Sequence, residues 1–225
     1  LRRLLPIILF TVLISIVVGL FILSPIHLKR LMTSSLYSIF GISNFLFFSE
    51  AGYFDHEKLF KPLLHTWSLA VEIQFYFIWP IIILLAKNLY KRNIVYILLL
   101  IFISSILLSV LYSPRADSFF YFTGFRIYEF AVGSILFFVI PKTCPKRSFI
   151  YFFLGLNIIF FSAFFFNSNF SFPGAYALVP CSGAALVIYS RYSETKNFGK
   201  YLKHNIIQFL GSKSYTIYML HWPFL

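Results

Sequence analysis

NIVYILLLIFISSILLSVLY, residues 93–112, contains no acidic or basic side chain. A helix rises ~1.5 Å per residue and the hydrocarbon core of a bilayer is ~30 Å thick, so about 20 such residues cross it. The run is apolar all round rather than alternating, which argues against a half-buried strand. Outward from it, residues 67–86, 119–140, 148–166, 174–190 and 4–24 read as further spanning helices, with Pro6 in a first turn where its missing N–H costs little. Residues 206–225 form another apolar run. Residues 31–48 are different: Thr33, Ser34, Ser35, Ser38, Ser43 and Asn44 dilute their apolar face, which suits an interfacial, re-entrant or protein-buried helix. Residues 49–66 read as a polar loop.

Composition excludes a soluble domain. The 225 residues are 60% hydrophobic and 12% charged, against about 25% charged in soluble domains. The 31 Phe suit lipid contact and helix packing, and the 15 Tyr suit the membrane interfaces. The expected fold is therefore all-α, a polytopic transmembrane helix bundle of about seven or eight spans, seven if 31–48 does not cross. It reads as a single transmembrane domain over residues 1–225, cut at both ends, because the chain opens on Leu1 and closes on Leu225 inside an apolar run.

The net charge of +12 does not point to nucleic acid, because the basic residues sit in connectors rather than on one continuous face. Twelve of them (Arg2, Arg3, Lys87, Lys91, Arg92, Lys142, Lys146, Arg147, Arg191, Lys196, Lys200, Lys203) fall on one side, against five (Lys29, Arg30, Lys58, Lys61, Arg115), if 31–48 stays on one side. If it crosses, the first two connectors exchange sides and the ratio is unchanged. Either way the loops 87–92, 141–147 and 191–205 are expected on the cytoplasmic side. Cys144 and Cys181 read as free thiols, and no metal-ligand cluster is present.

Ionisable groups at membrane depth cost about 2.5–3.5 kcal/mol each on insertion scales, so they mark candidate sites. Glu72 lies five residues into the 67–86 segment, with Gln74 beside it, and Ser68, Glu72, Tyr76 and Trp79 share one helical stripe. That stripe is expected to face the bundle interior or a wet cavity. His65 precedes the helix, with Thr66 as its expected N-cap. Glu72 either pairs with an arginine to hold helices together or orients a polar substrate. Arg126 and Glu129, at i and i+3, either pair locally or leave Arg126 to clamp an anion, and Gly133 is expected to permit close helix approach. Ser214, Tyr218 and His221 share a stripe on the last apolar run. Arg2 and Arg3 either anchor a membrane entry or hold the phosphates of a donor.

Residues 66–80, TWSLAVEIQFYFIWP, resemble the TWSL-x-VE-x-QFY-x-x-WP signature of the membrane-bound acyltransferase 3 family. Four further matches follow in order: Arg2-Arg3-Leu-Leu-Pro6; Ser43-Asn44 and Ala51–Asp55 with Lys61–His65; Arg126-x-x-Glu129-Phe-x-x-Gly133; and Leu210-Gly211 through His221-Trp222-Pro223. The family includes bacterial O-acetyltransferases that act on lipopolysaccharide and peptidoglycan. The resemblance implies an O-acyltransferase of the bacterial inner (plasma) membrane. It would move acetyl from cytoplasmic acetyl-CoA, with no permanently bound cofactor, to a hydroxyl of an extracytoplasmic cell-surface saccharide. It implies Glu72, His65 and Arg126 as catalytic candidates. Arg3, Trp67, Ser68, Gln74, Tyr76, Glu129 and His221 would contact substrate or donor. It further implies a catalytic histidine in a preceding helix and an SGNH-type domain after the last one. Two departures stand out: Ile73 occupies a position where many members carry a second Glu, and the arginine motif is half present. The rival class is a transporter or flippase for a lipid-linked saccharide, which would use buried charges without chemistry; the inverted repeats and paired broken helices frequent in transporters are not evident. A purely structural scaffold would leave Glu72 and Arg126 costly and idle.

Overall fold

The computed structural model describes residues 4–51, 60–89, 94–112, 117–140, 143, 145–167, 174–192, 200–201 and 204–224. Helices α1 (Leu5–Ile22), α2 (Pro25–Ile39), α3 (Ser43–Glu50), α4 (Thr66–Leu89), α5 (Ile94–Tyr112), α6 (Ile127–Val139), α7 (Ser148–Phe165), α8 (Leu178–Ser190) and α9 (Asn205–His221) follow one another, and no strand occurs among the described residues. Four helical stretches are long and apolar enough to cross a membrane: Leu5–Ile22, Thr66–Ala86, Ile94–Tyr112 and Ser148–Phe165. The remaining helices of the expected spans are shorter, at 13 residues each for α6 and α8 and 17 for α9.

Two expected elements take another form. Residues 31–48 are not one helix. The chain breaks at Gly41, whose φ of +68° lies in the left-handed region that glycine enters without a Cβ penalty, and it restarts as α3. The diluting hydroxyls turn inward, so that Ser34, Ser35, Ser38, Ser43 and Asn44 are buried, as a protein-buried segment requires. Residues 119–140 are likewise divided: Asp117–Tyr121 and Thr123–Phe125 are 3₁₀ turns, and the α-helix begins only at Ile127. Thr123 and the Tyr121 carbonyl are engaged by side chains from other elements, which competes with a continuous helical ladder.

The described residues pack as two compact units. The first takes residues up to Ile78, Tyr121–Thr123 and those from Phe209 onward. Its core joins Ile8 and Val12 of α1, Leu31 of α2, Leu63, Leu69 and Ile73 around the start of α4, and Met219 of α9. Each of these side chains is buried, and fully burying a Leu, Ile or Val contributes roughly 1.5–3 kcal/mol.

The second unit takes residues 79–120 and 124–208. There α7 and α8 cross at Gly155 and Gly183. A Cβ on Gly155 would meet the Gly183 carbonyl oxygen at 2.6 Å, and one on Gly183 would meet that of Gly155 at 2.8 Å. Small residues bring backbones together in this way where lipid leaves no hydrophobic drive between helices. Gly133, expected to serve that purpose, has nothing within 4 Å of where its Cβ would stand. Tyr128 is fully buried and donates to the Gly174 carbonyl at 3.0 Å. Ser105 accepts from the Tyr128 N–H at 3.1 Å and donates to the Gly124 carbonyl at 2.8 Å, which ties α5 to the start of α6.

Candidate active site

In the first unit the site forms where the start of α4 meets the end of α9. Residues Lys61–His65 turn tightly, with the Leu64 N–H on the Lys61 carbonyl and the Thr66 N–H on that of Leu63. Thr66 does not cap the helix through its side chain. Its hydroxyl lies 2.7 Å from the Leu63 carbonyl, 2.8 Å from Ser38 Oγ and 3.0 Å from Ser43 Oγ, because buried hydroxyls of α2 and α3 compete for it.

That turn buries His65, which is 6% exposed. Neither ring nitrogen completes a hydrogen bond. Burial pushes the imidazole down to about 4 from its usual 6.5, and nearby His221 adds to the effect; the Met219 backbone beside it opposes the shift. His65 is thus a neutral imidazole at physiological pH, and its lone pair is not consumed by the fold.

Around it stand Tyr218 and His221, each with its ring centroid 5.7 Å from that of His65 and steeply inclined to it. The Tyr218 hydroxyl donates to the His65 carbonyl at 3.0 Å and is hydrogen-bonded to Ser68 Oγ. Ser68 also reaches the His65 carbonyl at 3.0 Å. His221 Nδ1 lies against the Tyr218 carbonyl, and the Trp222 indole donates to the Lys61 carbonyl at 3.0 Å, fastening the end of α9 over the turn. Ser214, on the same stripe as Tyr218, bonds only its own helix at the Gly211 carbonyl.

Glu72 lies one turn along α4 from Ser68 and is half-buried, accepting a hydrogen bond from the Tyr76 hydroxyl. Among the described residues it makes no ion pair, so none of them supplies the helix-clamping arginine that the sequence allows. Tyr76 is 54% exposed, so the expected inward stripe turns outward at that point.

Gln74 has a different environment from the other candidates. Its amide donates to Asn44 Oδ1 at 2.7 Å and to the Gly41 carbonyl at 3.1 Å, and its oxygen accepts from Thr123 at 2.5 Å. Asn44 in turn donates to Thr123 Oγ1 and the Tyr121 carbonyl. Both ends of Gln74 are spent on internal partners, and Trp67 packs edge-on against Tyr121 at 5.5 Å. The sequence marks Gln74 as a site candidate but not as this lock, since Asn44 and Thr123 lie far from it in the chain.

In the second unit Arg126 and Glu129 pair, Nε lying 3.2 Å from both carboxylate oxygens and Nη2 3.1 Å from one. The guanidinium also lies 5.2 Å from the Phe120 ring centroid. Arg126 stands at the N-cap of α6 rather than within it, which places the Glu129 carboxylate in the first turn, where the helix dipole favours negative charge. Cys181 is a free thiol, as expected. Arg3 and Cys144 lie outside the described residues. No group of three metal-ligating side chains occurs among the described ones.

Helical and without strands in its described residues, with four stretches among them fit to span a bilayer and a polar cluster set at the mouth of one, the chain is an integral membrane protein. It belongs to the acyltransferase 3 family, whose profile, described as an acyltransferase domain, matches residues 1–225. It is similar to YrhL of Bacillus subtilis, with 29% identity over 99% of this chain and 38% of that protein. It is similar also to the peptidoglycan O-acetyltransferase OatA of Listeria monocytogenes, with 28% identity over 100% of this chain and 38% of that one. The O-acetyltransferase OatA of Staphylococcus aureus shares 25% identity over 100% of this chain and 40% of its own length. The chain thus spans about two-fifths of the length of the curated relatives it matches. No significant match was found among solved structures.

Proposed function

We propose that the chain is the membrane acyltransferase part of an O-acetyltransferase of the cell envelope. It would take acetyl from cytoplasmic acetyl-CoA and pass it to a hydroxyl of an extracytoplasmic saccharide, which the relatives' names point to as peptidoglycan. The observation that carries this reading is His65, a buried, neutral imidazole with neither nitrogen hydrogen-bonded, on a chain matched along its whole length by an acyltransferase family. Such an imidazole carries no proton near neutral pH and is free to accept one, with a lowered pKa that makes it a weaker base than an exposed histidine.

In this reading His65, at the end of α4 opposite the 87–92 loop, takes the proton of the saccharide hydroxyl as its oxygen bonds to the carbonyl carbon of the acyl group presented there. The bond from that carbon to the group that carried the acyl across then breaks, and the proton passes to the departing carrier atom. Glu72, presented with the Tyr76 hydroxyl one turn from Ser68, orients the incoming hydroxyl. Gln74, with its amide and its oxygen engaged by internal partners, holds the frame of the site. Arg126, fixed by Glu129 and Phe120, supplies fixed positive charge within the second unit. Arg3 belongs with the donor at the cytoplasmic side. The protein would be multi-pass in the bacterial plasma membrane, with seven or eight crossings and the 87–92, 141–147 and 191–205 loops inside.

The test is Glu72→Ala and His65→Gln in the full-length protein, expressed in cells that lack their own copy. Each is expected to insert normally and to lower base-releasable acetate on purified peptidoglycan by at least the 10²-fold typical of a lost acid–base group. Unchanged acetate in both variants removes this chemistry from the site. Loss of whole glycan chains rather than acetyl esters in a deletion strain would favour a flippase instead.

A further inference from the structure

We infer that Tyr218 is a positioning residue that holds His65 by its backbone and keeps water from its ring. The inference rests on the reading of His65 as the base. Tyr218 on α9 meets the start of α4 at two polar points, the His65 carbonyl and Ser68 Oγ. The Ser68 hydroxyl lies against both the Tyr218 oxygen and the same His65 carbonyl, and its one proton is shared between them, so it supports the Tyr218 hold on the peptide that carries the imidazole. The phenol ring also walls one side of the imidazole, its centroid 5.5 Å from that of His221, which forms another wall. His221 is in turn anchored on Tyr218's own carbonyl. Movement of Tyr218 therefore moves both histidines together.

The His65 carbonyl, on a buried residue, loses the Tyr218 proton when that hydroxyl is removed, and a carbonyl left without a partner is costly. Without the Tyr218 hydroxyl the turn relaxes from α9, the imidazole gains water, and its exceptional proton-free state weakens. Among the described residues, His221 is the ionisable group whose charge acts on His65. Lys61, at the start of the same turn, is engaged by Glu50 at 2.6 Å. Tyr215 on α9 donates to the Leu4 carbonyl at 3.3 Å, and Glu72 is occupied by Tyr76.

The experiment follows acetyl transfer from labelled acetyl-CoA to a soluble peptidoglycan fragment by the detergent-solubilised full-length protein, from pH 4 to 8. Tyr218→Phe keeps the ring and removes only the hydroxyl. It is expected to raise the acid limb of kcat/KM, which reports the free enzyme, toward the ordinary imidazole value and to lower turnover at neutral pH by about 10- to 100-fold, with KM little changed. Ser68→Ala, which leaves Tyr218 on the His65 carbonyl, is expected to move the limb the same way by less. An acid limb that stays in place in both variants overturns the proposal, whether turnover is intact or falls in step with the amount of folded protein. His65→Gln separates the two readings: retained activity there removes His65 as the base and this inference with it. An inactive His65→Gln beside an unmoved Tyr218→Phe profile removes only the positioning role.

Discussion

A buried side chain records its role in whether its polar atoms are satisfied, and Gln74 and His65, nine residues apart, lie at opposite ends of that scale. Gln74 is satisfied at both ends by Asn44, Gly41 and Thr123. Gln74→Leu keeps the bulk but takes the Gln74 partner from Asn44 Oδ1, the Gly41 carbonyl and the Thr123 hydroxyl, at about 1–3 kcal/mol for each buried group abandoned. A lowered melting temperature in detergent, with activity lost only in step with folded protein, is the expected outcome. His65 instead keeps both nitrogens unbonded inside the protein. Its pKa is lowered from 6.5 to about 4, so between those values the unfolded chain binds a proton that the folded one does not. Its contribution to stability is therefore whole above pH 6.5, declines as the pH falls, and stops changing below about 4. Melting curves across that window are expected to fall with acid in the parent and to lose that part of the slope in His65→Gln.

Among the elements, the glycines of the α7–α8 crossing differ from those the motifs single out. Gly155 and Gly183 face each other's backbone, where no rotamer change can make room. Gly155→Ala forces the helices apart and is expected to cost about 1–3 kcal/mol, as over-packing does. Gly133→Ala meets open space and, with α6 freed of a poor helix former, is expected to be neutral or to gain up to about 1 kcal/mol. Parallel thermal unfolding of the two variants checks the contrast; equal losses would mean that the crossing is not the tighter of the two sites. Gly41 shows the same principle in a turn, its positive φ separating α2 from α3 where the sequence offers one diluted apolar run.

For the whole molecule, the charge pattern predicts sidedness. Single cysteines placed in the 87–92, 141–147 and 191–205 loops of a full-length protein with Cys144 and Cys181 replaced are expected to resist an impermeant maleimide on intact cells and to react after permeabilisation. Labelling of any of these loops from outside would reverse the orientation on which the cytoplasmic donor site depends. The same substitutions at residues 49–51 report which side α3 ends on, and so whether the α2–α3 segment changes side.

The sequence by itself determined that the chain lives in a bilayer, because a run such as 93–112 admits no aqueous alternative, and it singled out Glu72, Arg126, His65 and His221 as groups that lipid would not tolerate idle. The order of its motifs also placed it in its family. What it left open was which of those groups the fold consumes. Helical periodicity reports neighbours three or four residues apart, whereas Gln74 meets Asn44, and His65 meets Tyr218, across 30 and 153 residues. Only tertiary packing could close Gln74 into a lock, keep His65 unbonded and seat the close helix contact at Gly155, because each depends on the distance between backbones, which a pattern of apolar residues does not encode.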